Sequence, residues 1–281
     1  LILDLYQNGF GDSREDIANV IIEASNLGLE MNEVEGATRT AFDVMNVTGY
    51  DAKETLRTMD SLVKNGLAVS FQEAADIIVD GFQKGADRGD DLLDTFNEYG
   101  STFAGLGISG TLAMALINTG LSNGIDNSDR VADAVREIGI RMGEIGENDA
   151  ITEAFAELDK LSDVDLTGLL DAYRAGEITG DEYFEGFFAS LDQAAASDPE
   201  AAARIATNLI GTQAEDFGVE TFATLADAWD NTMLDIEGRA SEASNALSNT
   251  LGSQFEELQR TIEVSAQNFL SSEQIDLPGK I

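Results

Sequence analysis

The chain has 281 residues, and its 53 acidic and 16 basic side chains give a formal net charge of -37 at pH 7. A chain of this charge repels phosphate, which argues against a binding surface for nucleic acid or for anionic lipid. Because it contains 0 His and 0 Cys, Ser-His-Asp and Cys-His catalytic arrangements, disulfides and the usual zinc ligands are excluded as well.

The chain begins at Leu1 inside an apolar run, residues 1–6, and no basic segment precedes an apolar stretch. We therefore expect that it has no signal peptide and that it is a piece of a longer protein. With 43% hydrophobic residues and 2 Pro, its composition predicts a helical, globular fold rather than a disordered chain.

The first half repeats one pattern four times. Each copy has an Asp after a Gly-containing turn, a second acid three residues later and an aliphatic residue five residues later; the Asp residues are 39, 36 and 39 positions apart. An Asp at this place caps a helix, and the second acid suits the positive end of the helix dipole. The predicted caps are Asp12, Asp51, Asp87 and Asp126.

Between these starts, further helices are predicted to open at Asn32, at Ser70 with Glu73 as a capping box, and at Ser109. Each repeat of about 36–39 residues then holds two helices joined by short turns. We therefore predict an all-α fold in which residues 1–145 form an array of helical hairpins. The predicted turns contain Gly28, Gly49, Gly66, Gly85, Gly107 and Gly124.

Calcium loops are the alternative interpretation of the acidic repeats, but the ligand spacing and central Gly of an EF-hand are missing. Residues 163–168 also begin like a calcium loop, yet the twelfth position is Arg174, which cannot supply the bidentate carboxylate. No pair of carboxylates stands out as an acid–base couple. We expect no catalytic residue, no cofactor site and no metal site.

Residues 99–125 carry no charged side chain. Polar and Gly residues interrupt the apolar run, so a buried helix is predicted here rather than a membrane span of about 20 apolar residues.

The second half is more acidic, since residues 143–281 hold 29 acids and 6 bases against 24 and 10 before them. The change near residues 143–148 predicts a boundary, with a second helical region over residues 146–230. In that region Thr179 and Glu182 form a capping box before an aromatic helix, and Asp198 caps a helix with Pro199 at its first position.

Residues 231–281 are predicted to form one long amphipathic helix with a short disordered end. Apolar residues four, three, four and seven positions apart fit either a coiled-coil seam or a helix packed on its own domain, and both alternatives stay open. These residues are Leu251, Phe255, Leu258, Ile262 and Phe269.

Over roughly residues 1–230 the chain resembles phage tail tape measure proteins. The similarity lies in the Gly-rich helical repeats at residues 49–56 and 129–137, and in residues 209–218, where the family usually reads F-G-T-Q-W-E-D-x-G. Here Ile210 and Ala214 stand in place of the expected Phe and Trp.

The resemblance implies a structural role in which a long helical protein threads the tail tube, sets its length during assembly in the host cytoplasm and leaves through the tail at infection. It implies tail-assembly chaperones, the tube protein and tail-tip proteins as partners, and self-association in the tail. Membrane contact is expected only in the context of the longer protein. Two alternatives remain: a stand-alone acidic helical module that binds a protein partner, and a fragment of a cell-wall hydrolase.

Overall fold

The computed structural model describes residues 1–229, 238–248, 259–261 and 263–264. All secondary-structure elements in these residues are helices and none is a β-strand, which confirms the predicted all-α class. The helices are α1 (Ile2–Gln7), α2 (Arg14–Asn26), α3 (Met31–Thr48), α4 (Ala52–Lys64), α5 (Phe71–Gln83), α6 (Leu92–Gly105), α7 (Gly110–Ser122), α8 (Ser128–Glu144), α9 (Asp149–Leu161), α10 (Leu166–Ala175), α11 (Gly180–Ser197), α12 (Pro199–Ile210), α13 (Thr212–Phe217), α14 (Val219–Ala223), a 3-10 helix (Thr224–Asp227) and α15 (Arg239–Ser248).

The chain folds into two compact units. Unit 1 combines residues Leu1–Arg57 with Gly238–Ile281, and unit 2 is Thr58–Glu237, so the change of unit after Arg57 falls within α4. Unit 1 is therefore discontinuous in sequence. The predicted regions 1–145, 146–230 and 231–281 stay predictions.

Unit 1 is built on α3, against which both α2 and α15 pack, while α1 packs on α2. Its core includes the fully buried Leu5, Ile17 and Phe42. The Phe10 ring lies 6.4 Å from the Phe42 ring, and the Arg39 guanidinium covers the outer face of Phe10 at 5.2 Å. Such contacts add specific geometry to the apolar burial that stabilises the unit.

The first part of unit 2 stacks helices that are two apart in sequence. Helix α5 packs on α7, α6 packs on α8, and α7 also packs on α8. Helix α7 is buried on every side from Leu112 to Leu121, in agreement with the buried helix predicted for the uncharged stretch. Adjacent helix pairs thus cover each other, which is the packing logic of helical repeats. The 36–39-residue period itself stays a prediction.

The second part of unit 2 is centred on the aromatic helix α11, which packs against α9, α10, α12, α14 and the 3-10 helix. Tyr183, Phe184 and Phe188 are fully buried, and the Trp229 ring lies 6.1 Å from that of Phe188. Burial raises the pKa of the Tyr183 hydroxyl well above its usual range. Large aromatic side chains bury more area than any others, so α11 holds this part of the unit together.

Several predicted helix starts are confirmed by the capping hydrogen bonds. Ser70 and Ser109 accept from backbone N–H groups three residues on, both at 3.1 Å, and Asp51 accepts from the N–H of residues 53 and 54 at 3.0 Å. Thr179 and Glu182 form the predicted capping box. Asp198 caps α12, whose first residue is Pro199.

Other predicted starts are wrong in position. Helix α2 is capped by Ser13 rather than Asp12, and α8 by Asn127 rather than Asp126. In each case the next residue has a short polar side chain and extended backbone, which is the conformation a cap requires. Helix α3 begins at Met31 after a capping box of Glu30 and Glu33, so Asn32 does not open it.

Asp87 does not directly precede a helix either, because α6 begins only at Leu92. Asp90 has a φ of 57°, and a right-handed helix cannot pass through a residue with positive φ. Asp87 still accepts a hydrogen bond from the Leu92 N–H at 3.1 Å. Asp87 therefore still accepts a backbone N–H at the start of α6, but this N–H lies five residues further along the chain.

All six glycines predicted in turns have positive φ, as at Gly107 with 67°. Gly107 also meets Gly180 so closely that a Cβ on Gly180 would overlap the Leu106 carbonyl oxygen. Glycine is thus required both for chain reversal and for close backbone contact.

The predicted long C-terminal helix falls largely outside the described residues. Within them, α15 covers residues 239–248, and residues 259–261 and 263–264 are helical. All five seam residues lie outside the described part of the chain, so the coiled-coil alternative stays a prediction.

Candidate functional site

Acidic side chains gather where α6 and α8 begin; Asp129 is one of the repeated acids, whereas Asp91 lies outside the repeat pattern. Ser128 donates to Asp91 at 2.7 Å, and Thr95 donates to Asp129 at 2.5 Å. Burial raises the pKa of Asp91, and the neighbouring charges of Asp129 and Asp87 raise it further, against the hydrogen bond from Ser128. The hydroxyl donors thus allow like charges to lie close together between two packed helices.

The acidic residues near 163–168 stabilise the N-terminus of α10. Asp165 accepts from the Gly168 N–H at 2.9 Å, and Asp159 accepts from the N–H and the hydroxyl of Thr167 at 3.1 and 3.0 Å. Within the described ranges, no group of three or more acidic side chains is arranged to hold a metal ion.

A polar cavity of about 350 Å³ lies at the C-terminal ends of α5 and α7 beside the 3-10 helix. Asn118 is only 6% exposed, and neither polar atom of its amide has a hydrogen-bond partner. Leaving an amide buried and unpaired costs on the order of 1–3 kcal/mol. The cavity offers mixed donors and acceptors, which suit ordered water. It is lined by Lys84, Asn118, Thr119, Ser122, Asn123 and Asp227.

Residues 209–218, which resemble a stretch of the tape measure family, form a turn and a short helix against α8. Arg130 of α8 forms an ion pair with Asp216 at 3.1 Å and lies 5.3 Å from the Phe217 ring, while Gln213 donates to Asp133 at 2.9 Å. Ala214, at the position where the family usually has Trp, is buried. These side-chain contacts hold α13 against α8.

Comparison with known families identifies the chain. The family model of phage-related minor tail proteins matches residues 7–175, more than half of its length. The chain belongs to this family. Membership implies an association with phage tails. The matched region runs from the last residue of α1 to the end of α10.

The chain is similar to the probable tape measure protein of Streptomyces phage phiC31. The two are 45% identical over 73 residues, which is 26% of this chain and 10% of the relative. The matched part thus spans only a small share of that protein's length. No solved structure matches the chain significantly.

In the part of the minor tail protein that the structure describes, no helix is long and apolar enough to span a membrane.

Sequence reasoning named no site residue, and it did not foresee the polar cavity of the minor tail protein. Lys84, Asn118 and Asp227 come from three elements far apart in sequence. No spacing pattern connects them, and Asn118 lies among apolar residues that indicate only burial. The contact of Arg130 with Phe217 was not predicted from the sequence either. Only Phe217 belongs to the stretch, residues 209–218, that is similar to tape measure proteins.

Proposed function

We propose that this minor tail protein is a segment of a tail tape measure, which sets the length of the tail tube during assembly and leaves through the tail at infection. The observation that carries the proposal is the 45% identity to the phiC31 tape measure protein over 73 residues, within a chain of the minor tail family. Its helical repeats support the same role, because units that pack mainly on neighbours allow length to change without rebuilding a single core.

The charge of the chain supports its place in the tail. At -37, it opposes uncontrolled association of an elongated protein and contact with the genome that leaves by the same route. We infer that the segment lies in the lumen of the tail tube in the virion and in the host cytoplasm during assembly. Its partners would be tail-assembly chaperones, the tube protein, tail-tip proteins and further copies of itself.

We further infer that the segment is not an enzyme. In the described residues, acidic side chains cap helices, form ion pairs or accept hydrogen bonds from neighbouring side chains, as Asp165, Glu23 and Asp91 do. The two alternatives, a stand-alone protein-binding module and a hydrolase fragment, have no structural observation that favours them.

The test is a pair of phages with in-frame changes in the gene for the parent protein. One lacks the segment of 281 residues, and the other carries it twice. A ruler predicts shorter tails in the first and longer tails in the second, by up to roughly 420 Å if the segment were one extended helix at about 1.5 Å per residue. A folded segment changes the length less, and the duplication keeps every partner site intact.

Tail lengths are measured by electron microscopy. Equal and opposite changes support the tape measure role. Tails of unchanged length in the duplicated phage would contradict it.

A further inference from the structure

Three Asn-Gly pairs occur in the sequence, and each lies in the turn where a helix of the array ends. The glycine of each pair has a positive φ, which the turn requires. Because the dipeptide is the same in all three turns, any difference in its chemistry must come from the surrounding structure. The pairs are residues 8–9 after α1, residues 65–66 after α4 and residues 123–124 after α7.

An Asn-Gly pair can modify itself with water as the other reactant, and Asn is accordingly among the thermolabile residues. The backbone nitrogen of the glycine attacks Cγ of the asparagine, a C–N bond forms, the bond from Cγ to the amide nitrogen breaks, and ammonia leaves. Water then opens the imide ring at one of its two carbonyls, which gives aspartate or isoaspartate. The glycine N–H must lose its proton first, so a hydrogen bond that protects it slows the reaction as it slows hydrogen exchange.

In two of the pairs, the glycine N–H is engaged in a hydrogen bond. Gly9 donates to the Tyr6 carbonyl at 3.2 Å, and Gly66 donates to the Val63 carbonyl at 3.0 Å. Each of these bonds must open before the nitrogen can react.

The side chain and the following residue of the pair 65–66 are held as well. The Asn65 amide donates to the Ser61 hydroxyl at 3.2 Å, and the Leu67 N–H donates to the Leu62 carbonyl at 2.9 Å. Leu67 is itself buried. The rotation that would bring the glycine nitrogen to Cγ therefore disturbs packed structure at this pair.

The pair at residues 123–124 differs from the other two. In the part of the chain that the structure describes, the Gly124 N–H has no hydrogen-bond partner. Asn123 and Gly124 are both exposed, and a Cβ on Gly124 would meet no atom within 4 Å. Water thus reaches the reacting N–H without prior opening of a hydrogen bond.

The product of the reaction would act against the C-terminal end of α7. The Asn123 amide donates to the Thr119 carbonyl at 2.9 Å, whereas a carboxylate has no N–H to donate and would face the same carbonyl oxygen. The new negative charge would also lie at the end of the helix where the dipole disfavours it. Since α7 is buried from Leu112 to Leu121, a disturbance of its end reaches the core of unit 2.

We propose that residues 123–124 are a site of spontaneous modification in the folded chain, and that conversion of Asn123 to aspartate or isoaspartate destabilises the C-terminal end of α7. The reaction needs no enzyme and no cofactor, so the modified form accumulates with the age of the protein. The proposal does not rest on the tape measure function, and it fails or holds in experiments that do not involve tail length.

The full chain tests the choice of site because it carries the same dipeptide in three turns. The folded chain is incubated at mildly alkaline pH, and peptide mapping by mass spectrometry follows aspartate and isoaspartate at each pair. We expect Asn123 to convert about two- to tenfold faster than Asn8 or Asn65, the factor that opening one backbone hydrogen bond imposes. In concentrated urea the three rates should converge.

Equal rates in the folded chain, or a faster reaction at either of the other pairs, would overturn the site. So would a lead of Asn123 that persists in urea, because the folded structure would then not be its cause.

Two Asn→Asp variants test the effect on α7. Asn123→Asp supplies the product directly. Its control, Asn127→Asp, makes the same change at the N-cap of α8, where the side chain accepts from the Arg130 N–H at 3.0 Å and an Asp caps equally well. Fluorescence of Trp229, the 1 Trp of the chain, reports unfolding of unit 2 in urea. We expect a lower midpoint than the parent chain for Asn123→Asp and no decrease for Asn127→Asp. A midpoint of Asn123→Asp at or above that of the parent would overturn the effect.

Discussion

The hydroxyl of Ser128, at the first position of α8, donates to a carboxylate oxygen of Asp91 at the start of α6 over 2.7 Å. The Thr95 hydroxyl lies 2.8 Å from the same Ser128 oxygen. Helices α6 and α8 are thus joined at their N-termini by side-chain hydrogen bonds, and the Ser128 side chain that joins them is fully buried.

Ser128→Ala should destabilise unit 2 by about 1–2 kcal/mol, because it leaves a half-buried carboxylate without its hydroxyl donor. Ser101→Ala, at an exposed position of α6, should stay within about 0.5 kcal/mol of the parent chain. The measurement is urea unfolding followed by Trp229 fluorescence. Equal midpoints for the two variants would show that the Ser128 contact does not stabilise the fold.

The pH dependence of stability should differ in sign between two acids. The pKa of Asp91 is raised in the folded chain, so its contribution to stability is fully present below its unfolded pKa and is lost as the pH rises through the folded value. The pKa of Glu182 is lowered by the backbone N–H and the hydroxyl of Thr179. Its contribution is present above its unfolded pKa and is lost as the pH falls through the folded value.

We therefore expect Asp91→Asn to gain stability relative to the parent chain at about pH 7 and to lose that advantage toward about pH 3. Glu182→Gln should be less stable than the parent at about pH 7, with the difference shrinking as the pH falls. Urea unfolding at a series of pH values, monitored by circular dichroism, checks both. If the stability difference from the parent chain changed with pH in the same direction for both variants, the opposite pKa shifts of Asp91 and Glu182 would be contradicted.

Helix capping offers a matched comparison between two repeats. Asp51→Ala should destabilise the chain by about 1 kcal/mol, because Asp51 accepts two backbone N–H groups at the start of α4. Asp12→Ala should have little effect, since Ser13 is the cap of α2, and Ser13→Ala should cost about as much as Asp51→Ala. Thermal unfolding of the three variants is sufficient. A larger loss for Asp12→Ala than for Ser13→Ala would contradict the observed cap.

Close helix contact predicts opposite effects of the same replacement at two glycines. At Gly180 a Cβ would overlap the Leu106 carbonyl oxygen, whereas at Gly143 in α8 nothing lies within 4 Å. Gly180→Ala should therefore destabilise unit 2 by at least about 1–3 kcal/mol. Gly143→Ala should stabilise it by up to about 1 kcal/mol. Urea unfolding measures both, and two changes of the same sign would contradict the packing.

The features that were predictable from the sequence are local. Capping at Ser70 and Thr179 depends on residues three positions apart, and the burial of α7 follows from its lack of charge. The wrong prediction of a helix start just after Asp87 also has a local cause. Asp90 has a positive φ, which the sequence pattern does not predict.

The remaining features depend on partners far along the chain. Asp43 and Ser244 meet across 201 positions, and Arg130 meets Asp216 across 86. Apolar periodicity shows which face of a helix is buried, but not which helix covers it. For that reason the discontinuous unit 1 and the polar cavity were not predicted from the sequence.

The burial of α7 has a consequence for synthesis on the ribosome. Its covering partners include α5, which precedes it, but also α8 and the 3-10 helix at Thr224–Asp227, about 100 residues after its own end. At a translation rate of about 5–20 residues per second, an apolar helix emerges roughly 5–20 s before its last covering element exists. During that interval the nascent chain, although it is strongly acidic, exposes the uncharged apolar surface of α7 to solvent.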